Sequence, residues 1–401
     1  MIQPLPLRFF RYGTNDPVSA ADPAWRGPLP ADRFSRSGPA AATLGNYFDA
    51  AADFLGGAGR EALHFGLRAA LGPDADLGGV AGVDVILEKH GAFYHPARVR
   101  VRHCDGEVAL ALNVAVSAHG RDLAARECQN LSRLGRRIPD PGLPTVFGFG
   151  EGRTGDISFP MFLCQWLTDF HEFHLSRRSN GDLGTVVWGD EGVNFFLSPD
   201  QARRLYREVA RLLARHYDSS TFEQIFPWHH AAGDFVVRPD ADDLSVRLVT
   251  VRQYAPMFSV RSGAAGHPAD SPAGLPLDAD PVETVAAPEG PSEAELEGLL
   301  LFLANLSLRN RLDRLDGVGD VAVADPWVID VSLEGALAGL ADGGGPATAF
   351  REYLRSRAPG ELAEAFLAVA GTWRPDAPET EALQSTLADH ILAFWEAVNR
   401  L

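Results

Sequence analysis

Strand-like patterning fills one continuous stretch of this chain, and a single helix interrupts it. Val85-Ile86-Leu87 opens the stretch. Beyond it Val99 and Val101 alternate with Arg98, Arg100 and Arg102, the two-residue period of a half-buried strand. Asp105-Gly106 is a two-residue hairpin signal, and Val108 to Val116 is the returning strand. Leu123 to Leu134 reads as a helix carrying Arg126 and Glu127. Thr145 to Phe149 and Phe159 to Leu167 read as two further strands. This order predicts a small β-rich unit with one helix over 80–167.

The text on either side is different. Residues 1–42 are rich in Pro, Ala, Asp and Arg without a helical or strand period, and read as an extended or poorly ordered leader. Two short helices follow, so 1–79 is expected to be an arm with helices. From 168 onward the pattern is mostly helical. Ser198-Pro199-Asp200 opens a helix with a serine cap, proline at the first position and an acid in the first turn. Val246 to Val251 alternates like a strand. Residues 262–291 read as a linker, and Ser292 with Glu295 forms a capping box ahead of a long helix. Further helices are expected near 333–341, 346–357, 360–371 and 377–400, giving a helical unit over 168–401.

Composition narrows the function classes. The formal net charge of -17 disfavours a nucleic-acid partner, which needs clustered Lys and Arg, and disfavours anionic membrane surfaces. No apolar run approaches the roughly 20 residues of a membrane span. Gly298 to Leu306 is the longest and reads as a core helix. No signal-peptide pattern follows Arg8 and Arg11, and Cys104, Cys128 and Cys164 are far apart, so a cytoplasmic location without disulfides is expected. Of the 36 basic residues only Lys89 is lysine, so any lysine chemistry must use it.

The element order resembles the bilobal protein-kinase-like fold, including its aminoglycoside-phosphotransferase branch, over about 80–260. The fold class expected is α+β, with a small β-rich N-lobe, a larger helical C-lobe, an N-terminal helical arm and a C-terminal helical extension. Five short segments carry the resemblance. Lys89-His90-Gly91-Ala92-Phe93-Tyr94 stands where the family has a glycine-rich loop over nucleotide phosphates, with only Gly91 kept and Lys89 as the nearest cation; a plain turn is the other reading. Asn113 to Ser117 stands for the strand that carries the phosphate-pairing lysine, replaced here by Val116 or Ser117. Glu127 matches that lysine's glutamate partner, or is a solvated helix face paired with Arg126 or Arg121. Leu163 to His171, with Gln165 and Trp166, stands for the adenine-binding hinge or for an ordinary strand exit.

Trp228 to Asp234 resembles the catalytic loop. Asp234 matches the aspartate that accepts the proton of the attacking hydroxyl, and His230 lies four residues before it. Pro239 stands where the family has a metal-holding asparagine. Thr250 fills the place of the metal-binding aspartate, Asp242 and Asp243 precede that strand, and Arg252 follows it. The resemblance therefore implies a degenerate Mg²⁺ or Mn²⁺ site. It leaves ATP as candidate cofactor, with a nucleotide or a protein as partner.

The reading that follows is a pseudokinase-type binding or regulatory protein. Two alternatives stand beside it. One is a divergent phosphotransferase, or another nucleotide-dependent transferase, using Asp234 as base. The other is a metal-dependent enzyme in which His171 and His174, set on one helical turn, meet His229, His230 and Asp234. No Gly-x-Ser-x-Gly elbow is present, and Cys164 lies in an apolar strand and reads as buried and inert. Arg203, Arg204, Arg207 and Arg211 line one helix as a solvated face or a surface for an acidic partner or phosphate.

Overall fold

Valine inward and arginine outward is how the 98–102 segment folds: Val99 and Val101 are fully buried while the arginines between them stay half-exposed. A computed structural model of the chain describes residues 4–29, 42–91, 94–138, 140, 142–189, 192–240, 243–256 and 290–401. Most of the 262–291 linker, Ala92, Phe93 and Asp242 lie outside the described residues.

The protein is mixed α+β. In chain order its elements are β1 (Leu7–Arg11), α1 (Leu44–Gly56), α2 (Arg60–Leu71), β2 (Val80–Leu87), β3 (His95–His103), β4 (Gly106–Val114), α3 (Ala118–Gly135), β5 (Val146–Thr154) and β6 (Ile157–Gln165). Then come β7 (His171–Arg177), β8 (Leu183–Trp188), β9 (Asn194–Phe196), α4 (Pro199–Arg215), β10 (Glu223–Ile225), β11 (Phe235–Pro239), β12 (Leu244–Leu248) and β13 (Tyr254–Pro256). The last stretch holds α5 (Glu293–Asn310), β14 (Leu312–Arg314), β15 (Val321–Val323), α6 (Trp327–Asp342), α7 (Ala347–Ser356), α8 (Pro359–Ala370) and α9 (Pro378–Asn399). No helix among the described residues is long and apolar enough to cross a membrane.

Two units divide the chain. The first comprises Met1–Phe173, Val187–Phe195 and Gly233–Gln253. The second comprises His174–Val186, Phe196–Ala232 and Tyr254–Leu401. The boundaries therefore do not fall at 79/80 and 167/168. The expected arm belongs to the β-rich unit, and so does the segment 233–253.

In the first unit a six-stranded sheet runs β1-β2-β3-β4-β6-β5. Residues 7–11 are thus a strand, not a patternless leader. β1 lies parallel to β2, with Phe9 opposite Val85. Five residues are too few to show a period in the sequence, but Phe9 packs on Trp25 and Phe48 with ring centroids 5.7 and 4.9 Å away. Thr43 and Asn46 form a capping box that starts α1. Its buried face, Tyr47, Phe48, Ala51, Phe54 and Leu55, joins Val83, Val85, Val99, Val101, Leu112 and Leu163 in one core. Gly152 lets β5 approach α1 closely, since a Cβ there would run into the Ala50 carbonyl.

Asp84 locks β1 onto this sheet. It is fully buried on β2 and accepts from Arg8 (2.8 and 2.9 Å), Arg100 (2.9 Å) and Arg102 (2.5 Å). Burial alone would raise its carboxyl; the three guanidinium groups outweigh that and hold it well below the usual carboxylate range.

The second unit is built on helices. Ser198 and Gln201 cap α4 reciprocally, and Ser292 and Glu295 do the same for α5. Gly335 and Gly339 on α6 face the Arg207 and Arg211 carbonyls of α4, where a Cβ would collide with each, so the two helices pack at backbone contact. Arg203, Arg204 and Arg207 of the α4 row are solvent-exposed, and the row meets side chains of α6. Arg211 pairs with Asp342 at 2.6 Å, Arg207 approaches Glu334 at 3.9 Å, and Arg203 lies over Trp327. α5 carries buried polar residues along its length. Ser307 Oγ meets His390 Nε2 at 3.1 Å, and Arg311 Nη1 meets His390 Nδ1 at 3.0 Å. Burial, and then the Arg311 charge, push His390 down to about 3, so the ring is neutral.

Asp84→Asn tests the clasp. A depressed carboxyl contributes stability that is fully present above the unfolded value near ~3.9 and is lost as pH falls through the lower folded value. The three arginines keep 35–50% of their side-chain surface, which screens the pairing. Urea unfolding should show the variant weaker by roughly 1–2 kcal/mol at neutral pH. The gap should shrink as the pH is lowered below ~3.9.

Candidate functional site

The β11–β12 hairpin sets the geometry. Phe235 pairs with Leu248 and Val237 with Val246, so Asp234 stands at the hairpin's entrance beside its exit, 249–252. The Val249 N–H donates to the Asp234 carbonyl at 2.8 Å. Helix α3 closes the other side. Ser117 caps it by accepting from Gly120 N–H at 2.9 Å, and Asn130 Nδ2 donates to the Val251 carbonyl at 3.1 Å. Four of the expected residues, Glu127, Asp234, Thr250 and Arg252, meet here within the first unit.

Asp234 is 1% exposed and held at two points by Arg252, with Nη1 to Oδ2 at 2.8 Å and Nη2 to Oδ1 at 2.5 Å. Such a fork is the strongest form of charge-assisted pairing and occupies both carboxylate oxygens. Burial by itself would lower the Arg252 guanidinium. The charge of Asp234, its hydrogen bond and the charge of Glu127 reverse that, and Arg252 is raised.

Glu127 is buried on α3, on the stripe of Leu123, Ala124, Cys128, Leu131 and Leu134. It is not a solvated helix face, and its partner is neither Arg126 nor Arg121. The Thr250 hydroxyl donates to Oε1, and the Tyr94 hydroxyl faces the same carboxyl. Burial raises Glu127; the bond from Thr250, the nearby Tyr94 hydroxyl and the charge of Arg252 oppose this without cancelling it, and Asp234 adds repulsion. Burial and then Glu127 push the Tyr94 phenol up. Arg252 is therefore a single buried cation facing two buried carboxyl groups. A charged residue on the apolar stripe of α3 was the sequence signal for Glu127's burial.

The other expected cofactor residues lie in the same unit, each with its own contacts. Lys89 forms an ion pair with Glu172. Gly91 closes a turn, its N–H donating to the Tyr94 carbonyl at 3.0 Å. Gly233 has φ +65°, and a Cβ there would press on the Glu172 carboxyl at 2.6 Å, so glycine is required before Asp234. Gln165 ends β6 and pairs through its backbone with Thr145 at 2.8 Å. Trp166 lies beneath the Arg98 guanidinium, 5.4 Å from ring centroid to carbon. Asp243 caps its own turn by accepting from Leu244 N–H at 2.8 Å.

His230 belongs to the second unit. Its Nε2 meets Asn310 Oδ1 at 3.0 Å, and burial lowers it despite Asp313 nearby. Asn310 passes the network on to Ser332 Oγ at 2.8 Å and to the Tyr206 carbonyl at 3.0 Å. The helical turn expected to carry His171 and His174 does not form. His171-Glu172-Phe173-His174 is a strand, so positions three apart face opposite sides. His174 Nδ1 lies 3.4 Å from Asp313, whose other oxygen accepts from Leu175 N–H at 2.8 Å. Cys164 is buried as expected, and burial pushes its thiol up to about 12.

No protein-family model matches this chain, and no curated protein matches it in sequence.

Two substitutions read the cluster. Arg252→Met leaves Asp234 and Glu127 buried without their cation and should lower unfolding stability by about 3–5 kcal/mol in urea at neutral pH. Glu127→Gln keeps an acceptor for Thr250 and removes the charge. A raised carboxyl favours folding below its unfolded value of ~4.3, and that contribution is lost as pH rises through the higher folded value. The stability of Glu127→Gln relative to the natural chain should therefore rise as pH is raised above ~4.3. A flat difference would contradict the raised carboxyl.

Proposed function

We propose that this chain is a protein of the kinase-like class that binds or regulates rather than transfers phosphate: a pseudokinase-type protein. The observation that carries the reading is the buried two-point pair of Asp234 with Arg252. A general base must be reachable by the hydroxyl it deprotonates, and this carboxylate is 1% exposed with each oxygen already accepting from a guanidinium. Phosphoryl transfer relies on Mg²⁺ and a lysine to neutralise the moving phosphoryl group. Pro239 and Thr250 occupy the positions from which the resemblance draws metal ligands. Thr250 gives its hydroxyl proton to Glu127, and the lone lysine is paired with Glu172. The resemblance itself finds support in the succession strand, turn, strand, hairpin, strand, glutamate-bearing helix, strand, turn, strand along β2 to β6.

The test is the thermal midpoint of the purified protein with ATP and Mg²⁺, with ATP and Mn²⁺, and with ATP and no metal, alongside an assay of ATP turnover. Ligand at 100 times its dissociation constant adds roughly 2.7 kcal/mol of stability, a readily measured shift. We expect no turnover and no metal-dependent rise. A metal-independent rise identifies a nucleotide-binding pseudokinase; no rise under any condition directs the role to a protein partner. A metal-dependent rise with turnover that Asp234→Asn abolishes overturns the proposal in favour of a divergent transferase.

A further inference from the structure

At the turn between β3 and β4 three consecutive side chains of different donor type come together. His103 Nδ1 lies 3.3 Å from Asp105 Oδ2 and 3.6 Å from Cys104 Sγ, and the three ligand atoms all lie within 4.8 Å of one another. Among the described residues this is the group of histidine, cysteine and carboxylate side chains close enough to share one ion. A tetrahedral metal with bonds of about 2.0–2.3 Å separates its nitrogen, oxygen and sulfur ligands by roughly 3.3–3.7 Å. The two measured separations fall in that range.

The surroundings hold the donors in place. The buried His103 ring gives its Nε2–H to the Asp76 carbonyl at 2.9 Å, which leaves Nδ1 as the unprotonated nitrogen. A backbone carbonyl behind the ring is the usual outer-shell partner of a metal-bound imidazole. Asp76 is itself fixed, accepting from Gly78 and Gly79 N–H at 2.8 and 3.1 Å. Cys104 N–H donates to the Gly79 carbonyl at 2.9 Å. A Cβ at Gly79 would stand 2.6 Å from His103 Cε1 and 2.8 Å from Cys104 Sγ, so the glycine backbone presses on both ligand residues. Cys104 is exposed, which gives an ion access to its sulfur. The present competitor for Nδ1 is a long contact from Asp105 N–H at 3.2 Å.

We propose that His103 Nδ1, Cys104 Sγ and an Asp105 carboxylate oxygen bind one borderline divalent transition-metal ion of the zinc class. Three protein ligands leave the fourth tetrahedral position to water. The mixed nitrogen, sulfur and oxygen set selects such an ion over the hard Mg²⁺ or Ca²⁺, which take oxygen ligands. This site is distinct from the Asp234–Arg252 cluster. Binding replaces the thiol S–H bond with a metal–sulfur bond and releases the proton to solvent, so affinity falls as the pH is lowered.

The test uses the full chain, untagged and reduced, titrated with Co²⁺ as a spectroscopic stand-in and then with Zn²⁺ in competition. A thiolate-to-cobalt charge-transfer band should grow to saturation at one ion per chain and vanish on adding Zn²⁺. Cys104→Ser should lose the band. Asp105→Asn keeps an Asn-Gly hairpin turn and should raise the dissociation constant roughly tenfold or more. Both changes are at the exposed turn, and their thermal midpoints without metal should match the natural chain, which separates lost binding from lost folding. No charge-transfer band in the natural chain, or the same band in Cys104→Ser, overturns the proposal.

Discussion

The pairing of Arg252 with Asp234 is the interaction on which the first unit's chemistry depends. A guanidinium is always charged and cannot be buried alone, so it must meet anions wherever it is taken from water. Two carboxyl groups supply them, one from the entrance of the β11–β12 hairpin and one from α3. Glu127 then needs further donors, and Thr250 and Tyr94 face it. Within the cluster the Arg252 charge faces both carboxyl groups. Buried polar groups of this kind tie the hairpin entrance and α3 to one arrangement, because a shift of either would strip Arg252 of its carboxylates.

The same logic governs the clasp at Asp84 and the α5 network of the second unit. Each puts a polar group where apolar packing would be expected and surrounds it with partners from distant parts of the chain. Asp84 draws Arg8 to the sheet edge, so a five-residue strand with little sequence signal of its own becomes ordered. Asn310 joins His230, Ser332 and the backbone of Tyr206, which ties α5, α4 and α6 together. His390 stays neutral because burial and Arg311 both oppose a second proton. These arrangements specify register and neighbour as much as they stabilise, because a displaced helix leaves a buried polar group unpaired.

Much of the element order was legible. The 98–102 alternation, the Asp105-Gly106 turn, the serine cap at Ser198 and the capping box at Ser292 all mark structure that forms there, because each depends on residues within a turn or two. The site was legible in part. Glu127, Asp234, Thr250 and Arg252 were singled out and do meet, but as an ion pair and a hydrogen bond closed on themselves. His230 packs in the second unit against Asn310 and Tyr206. His171 and His174 were read with a helical period and fold as a strand, whose two-residue period parts them. The three donors at 103–105 drew no notice as a set, since neighbouring residues on a strand normally diverge and only the turn gathers them.

Local sequence alone therefore determined where many of the strands, turns and helix starts lie, and that Lys89 is the single lysine. Those are properties of residue type and short spacing. Tertiary structure decided which charges neutralise which. Arg252 and Asp234 are 18 residues apart, Thr250 and Glu127 are 123 apart, and Arg8 and Asp84 are 76 apart. A side chain's charge is written in the sequence. Its partner, its burial and hence its proton affinity are fixed only when the sheet and helices bring distant groups within a few ångströms and exclude water from between them.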